Sequence, residues 1–95
     1  MLDLDKLQEE YEDDFSQFAA VANPRHTRPD LCAFLMLDAI LPGESSRDIV
    51  CWAGHDEIAL DVDTEAYAKV ATPEHFRDLV RCGVRYDEEA FKMFV

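Results

Sequence analysis

The chain has 95 residues, 21 acidic against nine basic, for a net charge of −12 at pH 7 with neutral histidines. With 48% hydrophobic residues it is too apolar for a disordered acidic tail, and its length allows only one domain. Acidity of this degree excludes direct binding to DNA, RNA or an anionic membrane, because those need basic surface.

In chain order, residues 2–22 read as one amphipathic helix. Leu4, Leu7, Tyr11, Phe15, Phe18 and Ala22 recur at steps of three and four and form a single stripe. Its outer face carries Glu9, Glu10, Glu12, Asp13 and Asp14. Asn23-Pro24 ends it. Thr27-Arg28-Pro29-Asp30 then predicts a second start, with Thr27 as N-cap and Asp30 in the capping-box position. Leu31–Leu41 is apolar nearly all round except for Asp38, so a buried central helix is expected, stopped by Pro42-Gly43.

Asp48–Trp52 and Glu57–Val62 are short runs of β-formers around Ala53-Gly54-His55-Asp56, where Gly54-His55 suits the centre of a two-residue turn. In the second run Ile58, Leu60 and Val62 alternate with Glu57, Ala59, Asp61 and Asp63, a half-buried strand with an acidic outer face. Asp63 or Thr64 caps a short helix through Ala71. Thr72-Pro73-Glu74 opens another, with Phe76, Leu79 and Val80 inward and Gly83 as its C-terminal stop. Val84–Tyr86 and Ala90–Val95 form a second hairpin about Asp87-Glu88-Glu89, with Phe91, Met93 and Val95 on one side. The expected class is α+β, a single small domain of order α-α-β-β-α-α-β-β. Hairpins rather than long crossovers imply an antiparallel sheet with helices packed on it.

The charge is uneven. Residues 1–22 hold seven acids against Lys6, and residues 56–65 hold five acids and no base, while residues 66–95 are neutral. Acids on one helix face lie about 5–6 Å apart and alternate strand acids about 6.5–7 Å apart. Such rows imitate the spacing of a phosphate backbone. Glu9, Glu10, Glu12, Asp13 and Asp14 form one candidate partner-binding row, and Glu57, Asp61 and Asp63 the other. The blander alternative is a solvated face that aids solubility. Arg77, Arg81 and Arg85 fall at four-residue steps and are candidates to pair with acidic patches, inside the molecule or across a dimer.

No motif names a reaction. Cys51, His55, His75 and Cys82 are the only set that could be written as zinc ligands, and their spacing matches no zinc module. No enzyme activity, catalytic residue, cofactor or metal is expected. Three cysteines without close pairing do not form a disulfide framework and point to a reducing cytoplasm. The acidic start Met1–Asp5 is unlike a signal peptide, and the longest apolar run, Leu31–Leu37, is far short of a membrane span.

Asp56–Asp63, the stretch Leu79-Val80-Arg81-Cys82-Gly83-Val84-Arg85-Tyr86-Asp87 and the final Met93-Phe94-Val95 resemble small uncharacterised proteins of phages and prophages. The resemblance covers residues 48–95. It implies a phage accessory protein made in a bacterial cytoplasm and similar to anti-defence factors, including anti-CRISPR proteins and DNA-mimic inhibitors. Those factors share a strategy rather than a fold, so the resemblance transfers no site residues. The expected partner is a host nucleic-acid-binding protein or complex, held without direct contact to nucleic acid or membrane. A homodimer is the competing expectation, with an antitoxin-like or assembly role carried by an apolar surface around Tyr11 and Trp52.

Overall fold

The computed structural model describes residues 1–94, so the place expected for Val95 in the last strand lies outside the described residues. Its elements are α1 (Leu4–Glu10), α2 (Pro29–Ile40), β1 (Val50–Gly54), β2 (Glu57–Leu60), α3 (Thr64–Val70), α4 (Pro73–Arg81), β3 (Val84–Asp87) and β4 (Ala90–Phe94). This is the expected α+β order. The four strands form one antiparallel sheet in the order β1-β2-β4-β3, so each hairpin supplies one half. The Cα radius of gyration, 12.2 Å, is that of a compact body of this length. Among the described residues no helix is long and apolar enough to cross a membrane.

The core is built around α4. Phe76, Leu79 and Val80 are fully buried on its inner face, against Val84, Phe91 and Met93 of the sheet and Tyr67 of α3. Each such side chain removed from water contributes about 1.5–3 kcal/mol. Phe91 is the aromatic centre, with the Tyr67 ring edge-on at 5.0 Å and the Phe76 ring stacked at 6.1 Å. α4 opens with a reciprocal cap. The His75 N–H donates to Thr72 Oγ1 at 3.2 Å, and the Thr72 N–H donates to His75 Nδ1 at 3.0 Å. It ends at Gly83, whose φ of +94° is open to glycine and costly for other residues.

The long first helix is not formed. α1 stops at Glu10, and the chain continues through two 3-10 turns, Glu12–Asp14 and Phe18–Ala20, with Ser16 at φ 61° between them. The physical reason lies in the acids. A continuous helix would set Glu9 and Glu10 beside Asp13 and Asp14 at three- and four-residue steps, with no base among them. The broken path turns Asp14 inward and still packs Phe15 and Phe18 on the core. The Ser16 N–H donates to the Val80 carbonyl at 3.0 Å and pins the path to α4.

α2 also differs from expectation. Its cap is Arg28, one residue after Thr27, and no side chain caps it; the Asp30 carboxylate instead accepts from the Leu31 N–H at 2.9 Å. It is peripheral rather than central. Cys32, Ala33 and Leu37 are buried, but Leu31 and Leu35 remain 38% and 45% exposed. α1 and α4 already pack on the sheet, with Tyr67 of α3 against Phe91, and α2 buries only one side.

Both hairpins close with two-residue turns whose central residues have positive φ, His55-Asp56 (52° and 63°) and Glu88-Glu89 (50° and 62°). The first turn is centred one residue later than Gly54-His55, because Gly54 pairs with Glu57 as the last rung of the ladder. β1 is correspondingly Val50–Gly54 rather than Asp48–Trp52. The Trp52 ring fixes Gly54, since a Cβ there would stand 3.0 Å from Trp52 Cζ2.

Candidate functional site

The eight acids expected to bind a partner divide into three groups. Three are held inside the molecule. Asp14 Oδ2 accepts from Arg77 Nε at 3.1 Å, and its other oxygen lies 3.4 Å from Arg81 Nε. Asp61 pairs with Arg47 at 2.6 Å, and Glu57 pairs with Arg85. The guanidinium of Arg85 also lies over the Phe94 ring at 4.6 Å, and that of Arg77 over the Tyr11 ring at 5.3 Å. The three arginines at four-residue steps therefore do pair with acids within the chain. These three carboxylates are engaged within the chain, Asp61 by an arginine that is itself 56% exposed, and are the weakest members of the expected rows.

Glu9, Glu10, Glu12 and Asp13 form the second group. They are exposed and in no ion pair among the described residues. They lie on α1 and the following 3-10 turn rather than on one helix face, so the regular row is lost while the charge stays at the surface.

Asp63 belongs to a third arrangement. It caps α3, with Oδ1 accepting from the Ala66 N–H at 3.1 Å. Asp3 caps α1 in the same way, accepting from the Lys6 N–H at 3.2 Å. These two helix starts meet. A groove of about 690 Å³ opens between them and the β3–β4 turn, lined by Asp3 and Asp5 from one side, Asp63 and Glu65 from the other, and Glu89 from the turn. The Leu2 N–H donates to the Ala68 carbonyl at 2.8 Å and ties its two walls together. Thr64, almost fully buried, donates from Oγ1 to the Glu89 carbonyl at 2.9 Å and fixes the turn. The Tyr86 phenol, also in the lining, is held above its ordinary pKa by burial and then by the charges of Asp5, Glu89 and Asp3, with the Thr64 side chain opposing the shift.

The two acidic segments thus converge, but of the residues that the row spacing suggested only Asp63 lines the groove. Asp3, Asp5, Glu65 and Glu89 were missed. The legible signal was the pair of Asp N-caps, each followed by an acid in the first turn. Nothing local says that the two helix starts are neighbours. Such a groove can hold cationic groups such as lysine or arginine side chains, which its carboxylates would neutralise.

Cys51, His55, His75 and Cys82 do not come together. Cys82 is buried beside Cys32, and its thiol is pushed up to about 12 by burial and then by Cys32. His75 Nδ1 is used in the α4 cap, and the Cys51 thiol donates to the Ala59 carbonyl at 3.4 Å. Among the described residues no three His, Cys, Asp or Glu side chains form a group able to hold a metal ion. All three cysteines are free thiols. Trp52 is 49% exposed, with its ring 6.4 Å from that of His55.

No protein-family model, curated protein or solved structure matches the chain.

Proposed function

We propose that this chain is a non-enzymatic binding protein that docks its acidic surface on the basic, nucleic-acid-binding surface of a partner protein and so blocks it. The partner in this reading is a host defence complex of the CRISPR kind, met in a bacterial cytoplasm by a phage-encoded inhibitor. The observation that carries it is the convergence of Asp3, Asp5, Asp63, Glu65 and Glu89 in one groove, with Glu9, Glu10, Glu12 and Asp13 exposed further along the same N-terminal segment. Most cations are spent on other acids of the fold, and of these carboxylates only Glu65 has an ion pair among the described residues, an exposed one with Lys69 at 3.9 Å. Acids clustered at this density repel one another, and a basic partner relieves that repulsion.

The test is capture of partners from a bacterial lysate at rising salt, with two variants. Glu9→Lys/Glu10→Lys/Glu12→Lys/Asp13→Lys reverses the exposed segment. Asp5→Asn/Asp63→Asn/Glu89→Gln removes three of the five carboxylate charges of the groove and keeps a capping side chain at position 63. The reading expects a nucleic-acid-binding protein that is released by salt and lost in at least one variant. Retention unchanged in both, or unaffected by salt, refutes it.

The exposed Leu35, Trp52 and Phe94 favour a second reading, an assembly or antitoxin-like role through an apolar surface. It expects salt-resistant binding that Trp52→Ala weakens.

A further inference from the structure

The two margins of the sheet are built differently. β3 is closed: the Tyr86 N–H donates to Gln8 Oε1 at 2.7 Å, and α1 packs along the strand. β1 bonds to β2 on one side, and its other side has no backbone partner among the described residues. Exposed edges are usually guarded by charged residues, by proline or by a bulge. The six residues from Ile49 to Gly54 carry no charge and no proline, and Cys51, Trp52 and Ala53 are all exposed. The one guard is a bulge between Val50 and Trp52, beyond which Trp52, Ala53 and Gly54 keep regular register with β2. Folded along Gly54, the Trp52 ring is a fixed aromatic surface beside the open edge. Charge is found only at the two ends, where Arg47, next to Asp48, is already spent on Asp61 at 2.6 Å. Asp48 precedes the strand and Asp56 follows it, both exposed and in no ion pair among the described residues.

We propose that the open edge of β1 is a docking site for an extended, lysine- or arginine-bearing segment of a partner protein, added to the sheet as a fifth strand. Main-chain bonds to β1 would supply the pairing, an apolar side chain would lie against Trp52, and cations at the two ends would meet Asp48 and Asp56. The five residues of β1 span roughly 17 Å, so those cations stand about six to eight residues apart in the segment. A second copy of this chain is the poorer occupant. Antiparallel self-pairing brings Asp48 of each copy toward Asp56 of the other, and both copies carry −12. The proposal rests on the reading that the partner is basic and adds how it is engaged.

The probe is a blocked nine-residue peptide with two lysines at each end and valine alternating with threonine between them. Two control peptides carry glutamates at the ends or a proline at the centre. Backbone amide spectra and amide exchange of the labelled protein report the site. The expected result is that the lysine peptide shifts and protects the amides of Val50–Gly54, whereas neither control does. Asp48→Asn/Asp56→Asn should weaken binding about three- to tenfold, as two cross-strand ion pairs are lost. Asparagine keeps the positive φ at position 56 accessible, and far-UV spectra verify the fold. Equal binding of the glutamate peptide, no binding of the lysine peptide at millimolar concentration, or shifts confined to the Asp3–Asp63 groove would each overturn the edge proposal. Protection of β1 that grows with protein concentration alone would overturn it in favour of a second copy. The lysate capture above tests the basic partner independently, so salt-released capture with a silent β1 leaves that reading standing and removes this one.

Discussion

Asp14 has the character of a binding residue in the sequence and of a structural one in the fold, and replacing it separates the two. In Asp14→Asn the carboxylate facing Arg77 and Arg81 is lost. Asp14 is 20% exposed, Arg81 15% and Arg77 37%, so the cluster lies between a surface pair and a buried one. Surface pairs contribute about 0.2–1 kcal/mol, and breaking a buried pair costs about 3–5 kcal/mol. Arg81 keeps Asp78 at 3.0 Å, which limits the loss. A cost of about 1.5–2.5 kcal/mol follows, or a fall in Tm of roughly 10 °C for a domain of this size. Urea melts of Asp14→Asn, Arg77→Ala and the double variant form a cycle, and its coupling energy should be about 1 kcal/mol. The four exposed acids nearby should behave in the opposite way, with Glu12→Gln/Asp13→Asn unchanged or slightly more stable as repulsion is relieved. A cost below about 0.5 kcal/mol for Asp14→Asn, with no coupling to Arg77, would show that Asp14 does not hold the broken path of the N-terminal segment.

The second hairpin turn sets two glutamates at positive φ, so Glu88→Asn/Glu89→Gly should raise stability by about 1 kcal/mol in a urea melt, although Lys92 loses its contact with Glu88 at 3.6 Å. The Cys82 thiol is pushed up to about 12 in the fold against an ordinary value of 9, so the native state holds its proton more tightly. That contribution is complete below pH 9 and is lost as pH rises from 9 to 12, at up to about 1.4 kcal/mol per pH unit. Cys82→Ala should flatten that loss in denaturant melts between pH 9 and 10. A thiol reagent at pH 8 should label one cysteine of the native protein, Cys51, and reach Cys32 and Cys82 only at the rate of unfolding.

What could be read without the structure was local. Thr72-Pro73 and Asp63 announce α4 and α3, because a cap is a bond to a backbone N–H three residues away. Phe76, Leu79 and Val80 are inward because 3.6 residues per turn put them on one face. The hairpins follow from alternation between turn residues, and the one-residue error at Gly54 arose because His55-Asp56 is a less obvious positive-φ pair than one containing glycine. The stripe from Leu4 to Ala22 was a true record of what packs inward as far as Phe18, but not of the path. Periodicity registers burial, whereas the acids between the apolar positions decided that the chain would break.

The charge of −12 and its division between residues 1–22 and 56–65 belong to the sequence alone, as do the α+β order and the identity of most core residues. Only the tertiary structure decided which carboxylates are spent. Arg77, Arg81 and Arg85 come from the neutral last third, yet two of them reach Asp14 and the third reaches Glu57. Only the tertiary structure, too, made a groove from two helix starts some sixty residues apart, and left β1 rather than β3 with an open edge. Caps, turns and periodicities act within a few residues. The fate of a surface charge depends on what the rest of the chain brings to within a few ångströms, and Coulomb energy falls too quickly with distance in water for sequence spacing to stand in for that.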